Sequence, residues 1–264
     1  MGVSVIIVNY RTAKLTAEAV RSALGEPEAT EIIVVENGSG DDSSLLLHQE
    51  FTDETRVTII DSARNVGFGQ GNNLGVAAAT QSYLFLLNSD ATFVPGCLRE
   101  LLEAWAHLET PGILAPAVFR GISEELQNDA IGPFPTSRRI LTQQTKRYGT
   151  SLTPDWVSGC ALLTKRDVFL GVGGFDPEFF MYFEDVMLCW RIRQSGLTIN
   201  RHLDAGIHHL GGQSYRTSLR LKRDYYSAQD LVLRKMGDPV LERALVRAIR
   251  WPYFFVARAL GRLR

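Results

Sequence analysis

Two acidic segments, far apart in the chain, carry residue types suited to metal binding and proton transfer. Asp90 follows the apolar run 83–87, and a carboxylate at a strand end can hold Mg²⁺ or Mn²⁺ against a diphosphate. Glu184 and Asp185 follow the aromatic block 179–183, and apolar walls raise the pKa of a carboxylate and exclude water, as a general base requires. The alternative for Asp90 is an ordinary turn residue. The alternative for Glu184 and Asp185 is a pair of acids that favour the start of a helix, next to aromatic residues that fill the core.

Two adjacent histidines, His208 and His209, offer an imidazole that could complete a site formed by a carboxylate and a metal ion. Side chains alternate along a strand, so only one of the two can face a cleft. The alternative is a histidine that is hydrogen-bonded for structural reasons alone. Glu184 and Asp185 are neighbours on a predicted helix, where successive side chains point about 100° apart. The two acids therefore cannot share one role.

The turn after the first apolar run excludes two common nucleotide-binding motifs. Residues 9–14 contain no glycine that would let a dinucleotide pyrophosphate approach the backbone, and the sequence has no Walker A loop. The segment 67–71 is rich in glycine but lacks the spacing of either motif. It favours either a close approach of the backbone to a ligand or a flexible start of a helix.

Short β-branched runs alternate with helical segments in the first third of the chain. This rhythm predicts an α/β fold with a Rossmann-like, mostly parallel central sheet flanked by helices. Strands are predicted at 3–8, 31–35, 57–60 and 83–87, and helices at 12–24, 43–51 and 71–80. Ligands bind beyond the carboxyl ends of such strands, where polar residues begin at Asn9, Glu36, Arg64 and Asn88. We expect these residues to meet at one edge of the sheet.

The middle of the chain, residues 120–155, loses this periodicity and is rich in Gly, Pro, Ser and Arg. Such a segment favours a mobile flap or acceptor loop and, equally, a plain surface excursion. Ordered structure is predicted to return at 156–163, with helices near 166–170 and 184–195, a short strand ending in the histidine pair, and two C-terminal helices separated near 237–239.

The composition is that of a globular protein. Of the 264 residues, 45% are hydrophobic, which suits one large domain or a domain with an appendage. The net charge of -1 argues against nucleic-acid binding. Three cysteines without a C-x-x-C pair, no basic leader and no long apolar run predict a cytoplasmic protein without disulfides or a zinc knuckle.

Positive charge concentrates at the C-terminus, where residues 216–264 hold 12 basic and 4 acidic side chains. Arginines alternate with aromatic and aliphatic residues over 243–264, which favours a helix lying on anionic lipid at the inner face of the cell membrane. The alternative is a helix that packs on the domain with a solvated basic face. We therefore predict a domain at 1–215 and a basic helical appendage at 216–264.

The ordered set of motifs resembles the family-2 inverting glycosyltransferases of the GT-A fold, and most of all their rhamnosyltransferase-like branch. The matching segments extend from Ser4 to about Ser214, and their order and spacing are specific although each is weak alone. They are the segments 5–10, 35–41, 65–68, 86–90, 157–159, 173–176, 180–185 and 209–214.

The resemblance implies roles for individual residues. Asp185 falls on the family's catalytic base with Glu184 alongside, Asp90 on its metal-binding aspartate and His209 on its late histidine, also assigned to the metal. The donor-binding residues implied are Val8, Asn9, Tyr10, Glu36, Asn37, Asp41, Asn65, Gly67, Phe68, Asn88 and Ser89. The acceptor-binding residues expected are Trp156, Gly159 and Tyr182.

Two positions depart from the pattern of the family. Glu36 stands where relatives commonly have Asp, so its carboxylate reaches one methylene further. Asn88 stands at the first position of the D-x-D-like motif and offers only a neutral oxygen, so Asp90 must carry the charge that holds the metal.

These implications predict a metal-dependent, inverting hexosyltransferase that uses a nucleotide-sugar donor. L-Rhamnose from dTDP-rhamnose is the favoured sugar, with UDP- and GDP-sugars as alternatives. The predicted acceptor is a hydroxyl of a glycan or a polyprenyl-diphosphate-linked glycan in cell-surface polysaccharide synthesis.

Two other classes are weighed against this one. A sugar-nucleotide nucleotidyltransferase should carry a glycine-rich loop directly after the first strand, which this chain lacks. An inactive nucleotide- or carbohydrate-binding module would not need Asp90, Asp185 and His209 together.

Overall fold

The computed structural model describes residues 1–127, 129–142, 151–211 and 219–259. Within these ranges the chain forms ten strands and nine helices. The strands are β1 (Val3–Asn9), β2 (Ala29–Glu36), β3 (Val57–Asp61), β4 (Tyr83–Asn88), β5 (Ala91–Phe93), β6 (Pro111–Arg120), β7 (Ile131–Gly132), β8 (Trp156–Val157), β9 (Ala161–Lys165) and β10 (Thr198–His209). The helices are α1 (Ala13–Leu24), α2 (Ser43–Glu50), α3 (Phe68–Ala78), α4 (Cys97–Ala106), α5 (Ser137–Leu141), α6 (Arg166–Gly171), α7 (Glu184–Gln194), α8 (Leu219–Lys235) and α9 (Val240–Ala259).

One large mixed sheet organises the described part of the chain. Its eight strands follow the order β3-β2-β1-β4-β9-β6-β10-β5, and β7 pairs separately with β8. Four neighbouring pairs are parallel, and the three pairs that involve β9 or β5 are antiparallel. The parallel run from β3 to β4 arises from the predicted βαβ units, and the predicted α/β fold is confirmed.

Burial on both faces explains why the parallel strands are apolar along their length. In β1, Val3, Val5 and Ile7 belong to the core on the α1 side of the sheet, whereas Ile6 lies against Gly75 of α3 on the other side. Successive side chains of a strand point to opposite faces, so a strand covered by helices on both faces carries apolar residues throughout. The polar residues at its end are therefore held on a rigid, buried support.

The C-terminal helices contact the aromatic segment that precedes α7. Ala228 and Val232 of α8 share an apolar cluster with Phe179 and Met187. Lys235, in the last turn of α8, donates to Asp176 at 2.9 Å. Helix α8 therefore packs on the segment that precedes α7. The division of the chain at residue 215 stays a prediction.

Three larger differences from the sequence-based expectation concern the start of α3, the middle segment, and the strand before the histidine pair, which is not short but spans 12 residues in β10. Helix α3 begins at Phe68 rather than at Gly71, because Gly67, with a positive φ of 89°, directs the Phe68 N–H to the carbonyl of Phe180 at 3.1 Å. Part of the segment predicted to be irregular is ordered, since it contains β7 and the short helix α5, which Thr136 caps by accepting from the Arg139 N–H at 3.1 Å. Residues 143–150 lie outside the described ranges.

Among the described helices, none combines the length and the apolar composition that a bilayer span requires.

Candidate active site

Strand register brings the polar ends of β1, β2 and β4 to one edge of the sheet, as the sequence predicts. Asn9 lies opposite Glu36 across β1 and β2, and Val8 lies opposite Asn88 across β1 and β4. β9 runs antiparallel to β4, so Gly159, just before β9 begins, reaches the same edge. Residues from four separate parts of the chain thus converge there.

Two of the predicted donor residues, Asn9 and Glu36, support the turn that follows β2. Both side chains are buried, and the Glu36 carboxylate accepts from the N–H groups of Gly38 at 3.1 Å and Ser39 at 2.9 Å. The Asn9 amide donates to Ser39 Oγ at 3.3 Å, and its oxygen accepts from the Thr16 hydroxyl at 2.7 Å. The longer side chain of Glu36 therefore reaches back to its own turn, and both residues shape the edge of the sheet at which the donor is predicted to bind.

Arg11 adds a positive charge beside this turn, and the sequence patterns do not assign it a role. Its backbone has a left-handed φ of 59°, and its N–H and Nε donate to Ser39 Oγ and the Ser39 carbonyl, each at 2.9 Å. The guanidinium lies 5.2 Å from the centre of the Tyr10 ring. The hydrogen bond from Ser43 lowers the pKa of Asp41, and the charge of Arg11 lowers it further. A cation, an aromatic face and an anion therefore meet at this end of the donor side.

A second turn is held by Asn37, Asn65 and Gly67. The Asn37 amide donates to Asn65 Oδ1 at 3.1 Å and to the Gly67 carbonyl at 3.2 Å, and the Asn65 side chain accepts from the Gly67 N–H at 2.9 Å. Gly67 has a φ of +89°, and a Cβ there would lie 2.2 Å from the Phe180 carbonyl oxygen. Gly67 and Phe68 thus dock the loop before α7 onto the start of α3.

Two further predicted donor residues contact neighbouring helices. A Cβ at Gly71 would lie 2.8 Å from Val8 Cγ1, so α3 rests directly on Val8. Ser89 Oγ accepts from the Thr12 hydroxyl, just before α1, at 3.1 Å. These contacts fix the ends of β1 and β4 relative to the helices.

Asp90 and His209 form the candidate cation site. The antiparallel pairing of β5 with β10 places His209 opposite Ala91, the residue after Asp90. Asp90 Oδ1 lies 3.2 Å from His209 Nε2, and the two side chains are only 6% and 9% exposed. His208 points to the other face of the strand, where its ring centre lies 5.7 Å from that of Phe119. Alternation along β10 therefore selects His209, which the sequence alone could not do.

The donor atoms suit a divalent cation that takes most of its ligands from a diphosphate and water. In the described part of the chain, no group of three His, Cys, Asp or Glu side chains could hold a metal. One carboxylate and one imidazole are nevertheless a fitting protein share for Mg²⁺ or Mn²⁺, which commonly bind one or two carboxylates together with substrate phosphates. Asn88 turns its amide nitrogen to His209 Nε2 at 3.2 Å, so Asp90 supplies the negative charge.

Asp185 lies in a cavity of about 510 Å³ at this edge of the sheet. Its Oδ2 accepts from the N–H of Gly159 at 3.1 Å. The walls contain the three residues expected to bind the acceptor, Trp156, Gly159 and Tyr182, and extend to Asn88, the neighbour of the cation site. The cavity thus extends from Asp185 to Asn88 at the carboxyl end of β4.

The buried thiol of Cys160 is close enough to both Asp90 and Asp185 for their charges to act on it. The Cys160 carbonyl accepts from the Asn88 N–H at 2.9 Å. Burial, together with the charges of Asp185 and Asp90, raises the pKa of the thiol to about 12. The charges of two acids that are distant in sequence, Asp90 and Asp185, therefore both raise the pKa of one buried thiol.

Backbone strain aims the start of α7 into the cavity. Tyr182 and Phe183, which directly precede the helix, have left-handed φ values of 69° and 65°. Such a conformation costs roughly 1–3 kcal/mol for each residue other than glycine, and it is found where a functional geometry is imposed. Burial raises the pKa of Asp185, while hydrogen bonds from the backbone N–H groups of Gly159 and Val186 favour its ionised form.

The sequence model described as Glycosyl transferase family 2 matches residues 4–169, which is more than half of the chain. The chain belongs to glycosyl transferase family 2. The predicted family is thereby confirmed.

Curated relatives of this family-2 glycosyltransferase include rhamnosyltransferases. It is 25% identical over 200 residues to the N-acetylglucosaminyl-diphospho-decaprenol L-rhamnosyltransferase of Mycobacterium tuberculosis (strain ATCC 25618 / H37Rv), a match covering 66% of this chain and 64% of that protein. It is 25% identical over 215 residues to rhamnosyltransferase WbbL of Escherichia coli (strain K12), covering 75% and 79%. The chain therefore spans somewhat less than two thirds of the mycobacterial protein and resembles the rhamnosyltransferase-like branch, as predicted.

The fold is also that of solved structures. The crystal structure of GalNAc-T7 with UDP, GalNAc and Mn²⁺ matches with a TM-score of 0.68 and 15% identity, covering 86% of this chain and 47% of that one. The likeness supports the GT-A fold of this chain.

Among the residues that line the cavity of this glycosyltransferase and that sequence reasoning did not assign to the site, Asp129 and Tyr225 lie outside all of the predicted motifs. The Tyr225 ring, on α8, lies 5.4 Å from that of Tyr182 and 5.0 Å from that of Phe183. No local pattern could indicate these positions, because they reach the cavity through contacts with segments distant in sequence. The last three residues of the final predicted motif, 212–214, lie outside the described ranges.

Glu184 lines the same cavity, and its pKa predicts a pH-dependent stability. Burial, and then the charge of Asp185, raises the pKa of Glu184 to about 8, and its Oε2 has no hydrogen-bond partner among the described residues. The unfolded chain releases this proton near pH 4.5, so the stabilisation is complete below that pH and is lost as the pH rises toward 8. In the wild type, the free energy of unfolding should fall by up to a few kcal/mol between these two pH values, since one pKa unit corresponds to about 1.4 kcal/mol. Glu184→Gln cannot ionise and should not show this fall.

Urea denaturation at several pH values tests this expectation. Glu18→Gln, at an exposed position of α1, serves as the matched control and should keep the wild-type pH slope. Equal slopes in Glu184→Gln and the wild type would show that the Glu184 carboxyl ionises as it does in the unfolded chain.

Proposed function

We propose that the chain transfers a sugar from a nucleotide-diphosphate donor to a hydroxyl of a glycan acceptor, with inversion at the anomeric carbon. The observation that carries the proposal is the position of Asp185, half-buried in the wall of a cavity of about 510 Å³ that reaches Asn88, beside Asp90 and His209. A half-buried base and a nearby cation site suit an in-line displacement. The attacking hydroxyl then approaches from the face opposite to the leaving diphosphate.

Asp185 is the proposed general base. In the reaction the acceptor oxygen bonds to the anomeric carbon, the bond from that carbon to the diphosphate breaks, and the hydroxyl proton passes to Asp185. The raised pKa of this half-buried carboxylate makes it a better proton acceptor than an exposed aspartate. The Gly159 N–H holds one carboxylate oxygen and so fixes its direction. Glu184, on the neighbouring helical position, is proposed to orient the acceptor.

Asp90 and His209 are proposed to hold Mn²⁺ or Mg²⁺ at the diphosphate. When bound, the cation would neutralise the negative charge that develops on the leaving group. The turns at 36–41 and 65–68 are proposed to bind the nucleotide. Support comes from their position at the carboxyl ends of β2 and β3 and from the matching structure of GalNAc-T7, which holds UDP and Mn²⁺.

L-Rhamnose is the proposed sugar, and a polyprenyl-diphosphate-linked glycan is the proposed acceptor. The names of the two relatives support both, since each is a rhamnosyltransferase and the mycobacterial one is named for a decaprenol-linked acceptor. A panel of sugar nucleotides, scored by release of the nucleotide, identifies the donor. Release of nucleotide from another sugar nucleotide, with none from dTDP-rhamnose, would contradict the rhamnose assignment.

Replacing Asp90 by alanine should abolish Mn²⁺-stimulated hydrolysis of the donor, because the carboxylate provides the charge that holds the cation. Release of dTDP from dTDP-rhamnose, with and without added Mn²⁺, measures this effect. Asp129→Ala, which removes an exposed acid from the cavity that contains Asp185, is the matched control and should keep the stimulation. An unchanged Mn²⁺ stimulation in Asp90→Ala would favour a different cation site, and a wild type without Mn²⁺ stimulation would favour metal-independent chemistry. Release of pyrophosphate would favour the nucleotidyltransferase alternative.

We further propose that α9 rests on an anionic membrane that carries the lipid-linked acceptor. Leu241, Leu245 and Ile249 recur at every fourth position and are 81%, 56% and 67% exposed. The other side of the helix faces the protein, since Val246 is buried and Arg247 pairs with Asp230 of α8. An exposed apolar stripe on a basic helix suits the interface of a bilayer.

Vesicle sedimentation tests this surface. The full chain should be retained on vesicles of phosphatidylcholine with phosphatidylglycerol at low salt, and Leu245→Ser with Ile249→Ser should reduce retention several-fold. Leu45→Ser with Leu46→Ser, at exposed positions on α2, is the control. Equal retention of the two double variants would place the contact elsewhere.

A further inference from the structure

Gln127 reaches the cation site from the side away from Asn88. Its Oε1 lies 2.9 Å from Nδ1 of His209. Its backbone N–H donates to the carbonyl of Val118 in β6 at 2.8 Å, which anchors the residue beside the sheet. The same loop is joined to the end of β10, because the Gly121 N–H donates to the His209 carbonyl at 2.9 Å. The position of Gln127 relative to the imidazole is therefore set by the backbone.

The two amide contacts specify one tautomer of His209. An amide oxygen can only accept a hydrogen bond, so the Nδ1 that faces Gln127 Oε1 must carry the hydrogen. An amide nitrogen can only donate, so the Nε2 that faces Asn88 Nδ2 at 3.2 Å must present its lone pair. Both contacts demand the neutral ring with hydrogen on Nδ1.

The lone pair of Nε2, which accepts from the Asn88 amide, also lies 3.2 Å from the carboxylate oxygen of Asp90, and a cation bound there would replace the Asn88 N–H as the partner of Nε2. Two electron-pair donors in this position suit a shared cation, as in other metal sites where the second nitrogen of a ligating histidine is fixed by a hydrogen bond. In the opposite tautomer, Nε2–H would instead donate to Asp90. The two groups would then be hydrogen-bonded to each other and could not share a cation. Gln127 and Asp90 thus compete for the single hydrogen of the neutral ring.

We propose that Gln127 is a positioning residue that holds His209 as the Nδ1–H tautomer and keeps its Nε2 available to a divalent cation beside Asp90. This proposal rests on the metal-dependent transfer proposed above. Gln127 belongs to none of the motifs on which the family resemblance depends, and it acts on the cation only through His209.

Histidine ¹⁵N NMR of the full chain without metal reports the tautomer, and His209→Asn identifies the signal. Wild type and Gln127→Glu, which keeps an acceptor at this position, should show hydrogen on Nδ1. Gln127→Leu should move the hydrogen to Nε2. The affinity for Mn²⁺, followed by the electron paramagnetic resonance of the free ion with and without dTDP, should fall about 10- to 100-fold in Gln127→Leu.

Glu124→Leu, an exposed change in the same loop, controls for disturbance of the loop and should match the wild type. A Gln127→Leu protein with the wild-type tautomer and Mn²⁺ affinity would overturn the proposal. A wild-type protein that shows the expected tautomer and Mn²⁺ results but transfers no sugar would support the positioning role and count against the proposed function alone.

Discussion

Asp185→Asn is expected to lower kcat for sugar transfer by ~10²- to 10⁴-fold, the usual contribution of a general base. The asparagine side chain has the same shape, and its oxygen can still accept from the Gly159 N–H that the carboxylate contacts at 3.1 Å. The donor should therefore bind with unchanged affinity while proton removal is lost. Single-turnover kinetics together with calorimetric titration of the donor separate the two quantities.

The pH profile provides a second measure of the same role. Only the ionised carboxylate can accept a proton, and burial raises the pKa of Asp185 above that of an ordinary aspartate. Wild-type activity should thus decline on acidification at a higher pH than an exposed aspartate would cause. Asp129→Asn, which neutralises another acid of the cavity, should keep this profile. Full activity of Asp185→Asn would exclude Asp185 as the base. A loss of activity that is explained entirely by weaker binding of the donor would exclude it as well.

Gly67→Ala is expected to destabilise the fold by about 3 kcal/mol or more and to reduce transfer even where the protein stays folded. The backbone at Gly67 has φ 89° and ψ 169°, a region essentially restricted to glycine. A Cβ there would lie 2.2 Å from the carbonyl oxygen of Phe180, which is backbone and cannot rotate away. The loop before α7 would have to shift, and the start of α7 carries Asp185.

Chemical denaturation of Gly67→Ala and Gly40→Ala checks this expectation. Gly40 also has a positive φ, of +66°, but a Cβ added there meets nothing within 4 Å. Gly40→Ala should therefore show only the conformational cost of roughly 1–2 kcal/mol. Similar free energies of unfolding for the two variants would mean that the Phe180 contact is not what restricts position 67.

The parts of the fold that depend on local patterns could be predicted from the sequence. The apolar run of β1 predicts a buried strand because both of its faces are covered, and the polar residues after β1, β2 and β4 are found at one edge of the sheet. The predictions of the strands and of their shared edge succeed because the period of a strand and the direction of parallel strands are fixed by backbone geometry. The roles of Asp185 and Asp90, which the family resemblance implies, stay predictions, although the charges of both act on the thiol of Cys160.

The other parts depend on contacts between distant segments. Alternation alone left His208 and His209 open and only the family resemblance favoured His209, whereas the pairing of β10 with β5 places His209 next to Asp90. Tyr225 reaches the cavity because α8 packs on the aromatic residues before α7, and Gln127 meets His209 across 82 positions of sequence. Arg11 adopts a left-handed conformation that its residue type does not favour. No spacing rule encodes such contacts, since they are set by the completed packing.

The burial of the cysteines has a practical consequence for experiments on the C-terminal helix. Cys97, Cys160 and Cys189 are free and buried, and burial raises the pKa of each thiol, so none presents a reactive thiolate at neutral pH. A maleimide dye should consequently react with a single cysteine introduced at an exposed site such as Leu245 without prior removal of the native ones. An environment-sensitive fluorophore attached there would report directly on the surroundings of α9 in solution and on vesicles.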